Sequence, residues 1–282
     1  MCAHHYINHT QMKDKTLSCE YIFFVWLGPE LEESENIEIP LIAHLIPNGI
    51  KRGSNIIVEY DPQSQWIAIA TTIVAKWVQS KRQGIYVASM RPREDVLNDL
   101  VKLGIDVTAS EGANLLRVDD YYSASLGLDT SASLQEEVEG KYARLASYRV
   151  SDMSVEFLKY IKTQPAEVTR RMPGELEIIE SFSIFLRYND EKSFLDFLES
   201  RSFPFQRRIK RANLLGFVRG LHTEAFYRRL ENAADGLIEI RVLEHNDEVK
   251  NFLRIQSLKG QPHDTHKHEI EIKPNGEAVL ST

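Results

Sequence analysis

Apolar residues mark out the framework of this chain before any motif is sought. Ile56-Ile57-Val58 is a short continuous apolar run, the pattern of a strand buried on both faces. Beyond a short polar gap, Ile67, Ala70, Val74, Trp77 and Val78 recur at helical spacing, with a second row at Trp66, Ile69 and Ile73. So broad an apolar surface predicts a helix lying against a sheet. The stretch NIIVEYDPQSQWIAIATTIVAKW, residues 55–77, therefore reads as strand, tight connection and helix. The same alternation continues. Gly84 opens a strand through Ser89, and Pro92 with Arg93-Glu94-Asp95 opens a helix through Leu97, Leu100, Val101 and Leu103, closed by Gly104. Leu115–Val118 is a third strand, ending in Asp119-Asp120-Tyr121-Tyr122. Helices are predicted from Leu134 and over Met153–Ile161. A turn at Pro173-Gly174 leads to a strand over Leu176–Ile179. Next come a helix carrying Phe194, Leu195, Phe197 and Leu198, a strand over Leu214–Val218, and a helix from about His222 to Ala233.

After a turn at Asp235-Gly236 the pattern changes. Leu237–Val242, Val249–Leu253 and the runs to Ile272 and Val279 read as strands with no helices between them. Alternating strands and helices imply a mostly parallel central sheet flanked by helices with right-handed crossovers, and the tail implies an antiparallel meander at one edge. Residues 1–20 are polar and aperiodic, Tyr21–Leu27 is a strand or docking segment, and Glu30, Glu32, Glu33, Glu35 and Glu38 form a solvated acidic stretch. The expected organisation is an N-terminal extension over 1–39 and one α/β domain over 40–282.

Composition narrows the function classes. An apolar fraction of 43% suits a globular domain, and a net charge of −7 argues against an all-over basic surface for duplex DNA. The only cysteines, Cys2 and Cys19, encode neither a disulfide framework nor a thiolate metal site, which points to a reducing cytoplasm. Tyr21–Leu27 is far short of the roughly 20 apolar residues that span a bilayer, and no signal-peptide pattern surrounds it.

Several short segments, in order, resemble the KaiC-like branch of the RecA superfamily of ATPases. LIPNGIKRGSNIIVEYDP (45–62) is similar to that family's lead into the first core strand and phosphate loop, and IYVASMRP (85–92) to its second strand. VKLGID (101–106) keeps a family spacing, and ELEIIESFS (175–183) resembles the strand bearing the Walker B acid. ENAADGLIEIRV (231–242) and FLRIQSLKGQPHDTHKHEIEIKPNGEAVL (252–280) resemble its C-terminal meander. The resemblance covers about residues 41–280 and implies a RecA-like P-loop NTPase fold.

The chemistry of that family is not carried over with the pattern. A working loop, G-x-x-x-x-G-K-[ST], wraps phosphates with glycine N–H groups, neutralises charge with lysine and ligates magnesium through a hydroxyl. Laid over it, this chain offers Tyr60, Asp61, Pro62, Gln63, Ser64, Gln65, Trp66 and Ile67. Tyr60 and Gln65 stand for the glycines, Trp66 for the lysine and Ile67 for the hydroxyl, while Asp61 adds a negative charge. The family's acidic pair after the second strand has no counterpart in Ala88-Ser89-Met90-Arg91-Pro92. The family's intersubunit lysine and arginine leave at most Lys259, in Ser257-Leu258-Lys259. Glu180 keeps a carboxylate at the Walker B position. No cofactor is expected; ATP and magnesium would bind only if the divergent loop still accepts them.

Other polar clusters bring together residue types suited to chemistry. On a strand, His266 and His268 would share a face near His263, Asp264 and Glu269, but the reading taken is a solvated run without metal. Asp119 and Asp120 sit at a strand end where α/β proteins bind ligands, and read as a turn with solvated carboxylates. Arg201, Arg207, Arg208, Lys210 and Arg211, interleaved with Phe203 and Phe205, form the best candidate for single-stranded nucleic acid, or for a subunit or partner contact, and otherwise read as a plain solvated loop. The expectation is a catalytically inactive RecA/KaiC-like domain that acts as a regulatory or assembly protein, through a protein partner or self-association in a ring or filament. The alternatives are a divergent ATP-binding protein with weak ATPase activity and a RecA-like accessory protein binding single strands.

Overall fold

The structure, a computed structural model, describes residues 35–125, 150, 174–245 and 248–281. The helices expected from Leu134 and over Met153–Ile161, and the apolar run Tyr21–Leu27, lie outside the described residues. Asn36–Ile37 (β1) pairs antiparallel with Ile50–Lys51 (β2), so the packed unit begins ahead of residue 40.

A second sheet has nine strands, in the order β11-β10-β9-β8-β3-β7-β6-β4-β5. These are Asn55–Tyr60 (β3), Gly84–Ala88 (β4), Leu116–Asp120 (β5), Leu176–Ile179 (β6), Ala212–Val218 (β7), Gly236–His245 (β8), Glu248–Leu258 (β9), His268–Ile272 (β10) and Ala278–Leu280 (β11). β3 to β8 pair in parallel, and β8 to β11 form the antiparallel meander. Among the described residues the α-helices are Trp66–Gln79 (α1), Arg93–Lys102 (α2), Val107–Gly112 (α3), Tyr121–Ser125 (α4), Glu191–Phe197 (α5), Phe203–Arg208 (α6) and Glu224–Ala233 (α7). This is the α/β architecture the periodicity predicts.

Strand parity divides the interior in two. Val58, Tyr60, Tyr86 and Leu214 join α1 and α2 on one face, while Ile57, Ile85, Val87 and Phe217 join α5 and α7 on the other. α1 buries Trp66, Ile69, Ala70, Ile73, Val74, Trp77 and Val78, and each large side chain among them contributes about 1.5–3 kcal/mol through removal from water. Helix ends follow local chemistry. Gly104 sits just past α2 at φ +83, and Thr223 accepts the Phe226 N–H, so α7 starts at Glu224 rather than His222.

The connections set up the functional rim. From β3 the chain crosses past β7 and β6 to β4, whereas from β7 it crosses past β3 to β8. The order therefore reverses beside β3 and β7, and open α/β sheets bind ligands in the crevice at the carboxyl ends of such strands. The loops after β3, β4, β6 and β7 all emerge there.

Candidate functional site

β3 ends at Tyr60 and α1 begins at Trp66, so the strand–turn–helix read from the sequence is present. Three amides of the turn are bonded to the protein itself. The Asp61 N–H donates to the Ile240 carbonyl at 3.0 Å and the Ser64 N–H to the Asp61 carbonyl at 2.9 Å. The Gln65 N–H donates to Asn251 Oδ1 at 3.1 Å, and Pro62 has no N–H to offer. The Asp61 carboxylate accepts from the Val242 N–H at 2.9 Å, tying the turn to β8. It lies 3.7 Å from Arg219 Nη1 and 4.0 Å from Arg241 Nη1. Those arginines also reach Glu59, and Arg241 pairs with Glu239 at 2.7 Å, so their charge is met by carboxylates of the fold.

Trp66 occupies the first turn of α1 and is 1% exposed. Its indole N–H donates to the Glu180 carbonyl at 2.7 Å, which anchors α1 to the end of β6. Tyr60 packs beside it with ring centroids 6.1 Å apart, and burial pushes the Tyr60 phenol up to about 12. This close approach also fixes residue 216. A Cβ there would stand 2.1 Å from the Glu180 carbonyl oxygen and 2.7 Å from the Trp66 indole nitrogen, so only glycine fits.

Glu180 is fully buried, and its carboxylate accepts four hydrogen bonds. Oε1 takes the Tyr86 hydroxyl at 2.9 Å and Arg91 Nε at 3.0 Å. Oε2 takes the backbone N–H groups of Ser89 and Met90, each at 2.9 Å. Burial, reinforced by the Glu180 charge, holds the Tyr86 phenol well above its ordinary value, so it stays a donor. Arg91 extends the network to Asp99 and, at 3.2 Å, to Thr71. Burial opposes the Arg91 charge, but Tyr86, Asp99 and Glu180 outweigh it and raise the Arg91 pKa. These groups do not fit magnesium or a phosphate: the Glu180 carboxylate oxygens already hold four protein donors, and the buried Trp66 indole beside them carries no charge.

No family model matches the chain, and no curated protein matches it. Among solved structures, a KaiC-like protein of the hyperthermophilic archaeon Pyrococcus horikoshii OT3 is similar with a TM-score of 0.63 at 19% identity. The match covers 89% of this chain and 99% of that one. The fold is KaiC-like and RecA-type. The architecture read from the sequence therefore agrees with the solved neighbour at the level of fold.

Within that KaiC-like frame the other predicted residues are dispersed. The basic run expected as a loop is helical as far as Arg208, through a π-turn at Leu198–Ser202 and α6, and Lys210 and Arg211 follow beyond it. Phe203 and Phe205 are buried, so neither is free to stack on a base. Arg211 is buried 3.9 Å from Glu177 and donates to the Gly174 carbonyl, and Arg207 pairs with Asp235 at 3.0 Å. Arg201 donates to the Ser200 carbonyl, and Arg208 and Lys210 remain exposed. Lys259 donates to the Asn232 carbonyl at 2.6 Å, by the last turn of α7. Asp235 does more than make a turn: it accepts the Asn55 N–H at 2.8 Å, joining the start of β8 to the start of β3.

The strand expected under His266 begins only at His268, so the two histidines do not share a strand face. His266 bonds to Asp264, His263 to the Gln261 carbonyl, and no cluster of metal-ligating groups occurs among the described residues. Asp119 pairs with Arg117 at 2.7 Å, and Asp120 accepts from the Arg93 and Ser123 N–H groups. None of the helices among the described residues is long and apolar enough to cross a membrane.

Sequence reasoning missed one cluster. A cleft of about 540 Å³ opens at the rim, lined in part by Met90, Ser183, Ile184, Glu191, Leu221 and His222. Ser183 and His222 follow β6 and β7, neighbouring parallel strands, and that shared position was the signal available.

Proposed function

We propose that this chain is a RecA/KaiC-like domain with a degenerate phosphate loop and no working ATPase, acting as a regulatory or assembly protein through protein contacts. The observation that carries the reading is the four-donor shell around Glu180, the acid at the Walker B position. A carboxylate so satisfied gains little from a metal and would have to break a buried ion pair to take one. Trp66 adds to this, because its indole is part of the packed interior and supplies no charge for a phosphate. The fold is then stabilised from within the old site, and its surface is left for partners. Arg201, Arg208 and Lys210 lie on the candidate partner face, and Lys259 remains the candidate cation for a contact between copies of the chain.

Calorimetry with ATP and magnesium tests the first half. No binding heat and no rise in melting temperature at millimolar ATP is the expected result. Micromolar binding, abolished by Glu180→Gln, would overturn the reading in favour of a divergent ATPase. Sedimentation over a range of concentrations tests the second half: nucleotide-independent assembly, or a stable complex with a partner, is expected. Salt-sensitive oligonucleotide binding lost with Arg207→Ala and Arg208→Ala would move the function to single-stranded nucleic acid.

A further inference from the structure

The rim cleft brings together a hydroxyl from the 3-10 turn after β6, an imidazole from the loop after β7 and a carboxylate from the first residue of α5. Ser183 Oγ lies 2.8 Å from His222 Nε2, and His222 Nδ1 lies 3.9 Å from Glu191 Oε1. The Val218 N–H donates to Ser183 Oγ at 3.2 Å. In the tautomer that acts as a base, the Ser183 hydroxyl donates to His222 Nε2 and the ring proton sits on Nδ1, on the side of Glu191. Glu191 is itself held by the Thr223 N–H at 2.9 Å and by the Thr223 hydroxyl. His222 packs against Phe226 with centroids 4.8 Å apart and against Tyr227 at 5.8 Å. Burial holds the His222 pKa below its ordinary value, with Glu191 acting the other way, so the ring is neutral at pH 7.

We propose that this cleft is an acyl-transfer site in which Ser183 is the nucleophile, His222 its general base and Glu191 a positioning carboxylate, acting on small carboxylic esters. Ser183 and His222 stand within hydrogen-bond reach, as nucleophile and base require, and the Glu191 carboxylate, 3.9 Å from Nδ1, places a negative charge beside the ring. Ile184, Leu186 and Leu221 give the cleft an apolar wall suited to a short acyl chain. Ser183 Oγ bonds to the ester carbonyl carbon while its proton passes to His222 Nε2. The tetrahedral adduct expels the alcohol oxygen, which takes that proton from His222. Water then attacks the acyl-serine, His222 accepts a water proton and returns it to Oγ, and the acid leaves. The sum is ester plus water to acid plus alcohol.

The test is a fluorophosphonate probe on the full folded chain, with the adduct located by peptide mass spectrometry, alongside hydrolysis of p-nitrophenyl butyrate. The expected result is an adduct on Ser183, formed at least tenfold more slowly in His222→Gln, with Ser183→Ala unlabelled. Glu191→Gln keeps the nucleophile and base but shifts the midpoint of the pH–rate profile downward, an effect that a packing role alone would not produce. No adduct at Ser183 on the native protein overturns the proposal, as does labelling at an unchanged rate in a folded His222→Gln variant. ATP calorimetry reads the proposed function independently of either outcome.

Discussion

Replacing Glu180 by glutamine keeps the volume and removes one acceptor and one charge from a fully buried cluster. The Ser89 and Met90 N–H groups are fixed in the backbone, so the new amide oxygen must turn to them. Its NH2 then faces the Tyr86 hydroxyl and Arg91 Nε. Tyr86 can rotate and accept; Arg91 cannot. The loss is a charge-assisted bond, about 1.5–3 kcal/mol, plus the cost of leaving a guanidinium short of a partner, so the usual range for breaking a buried pair is roughly 3–5 kcal/mol. Arg91 is 19% exposed and keeps Asp99, which places the expectation at the lower end, about 3 kcal/mol. For a chain of this size that is roughly a 6–12 °C fall in melting temperature, read by thermal and urea unfolding in the absence of nucleotide. A variant that melts within about 1 °C of wild type would refute the hub, since an acid free for metal can be neutralised without harm to the fold.

Trp66→Ala should cost about 3–5 kcal/mol in urea unfolding, because it empties a buried volume and leaves the Glu180 carbonyl without its donor. Gly216→Ala should be at least as harmful as ordinary overpacking, about 1–3 kcal/mol, since its Cβ meets backbone that cannot yield; unchanged stability would contradict the close approach of β7 to Glu180. His222 has a folded pKa below its unfolded value near 6.5, so its contribution is full above that pH and is lost as pH falls through the folded pKa. His222→Gln should remove that part of the acid slope in unfolding free energy between wild type and variant. Arg207→Ala should loosen the junction of α6 and Asp235 by less than about 1 kcal/mol, because the pair is half-exposed, and leave melting nearly unchanged.

The fold was legible because two periods, near 3.6 and 2, survive wherever a face is buried. The Ile56–Val58 run and the row from Trp66 to Val78 fixed β3 and α1, and the helix-free tail after Gly236 fixed the meander. The cost of burying an unpaired polar group or exposing an apolar face leaves few other arrangements for such a pattern. Boundaries moved where local capping outweighed periodicity, as at Thr223.

The residue types of Tyr60–Ile67, laid over a phosphate-loop pattern, were likewise visible in the sequence. What Trp66 does there was not, since its partner Glu180 lies 114 residues away and is brought to it by the parallel pairing of β3, β7 and β6. The same holds for the charge pattern. Arg207 and Arg211 look like neighbours in a basic run, yet tertiary packing sends one to Asp235 and the other into the interior beside Glu177. Sequence alone determined the layers and the order of elements, because those depend on local periodicity. Only the tertiary structure decided which polar atoms meet at the rim, because hydrogen bonds across a sheet depend on strand register and on loops that cross it.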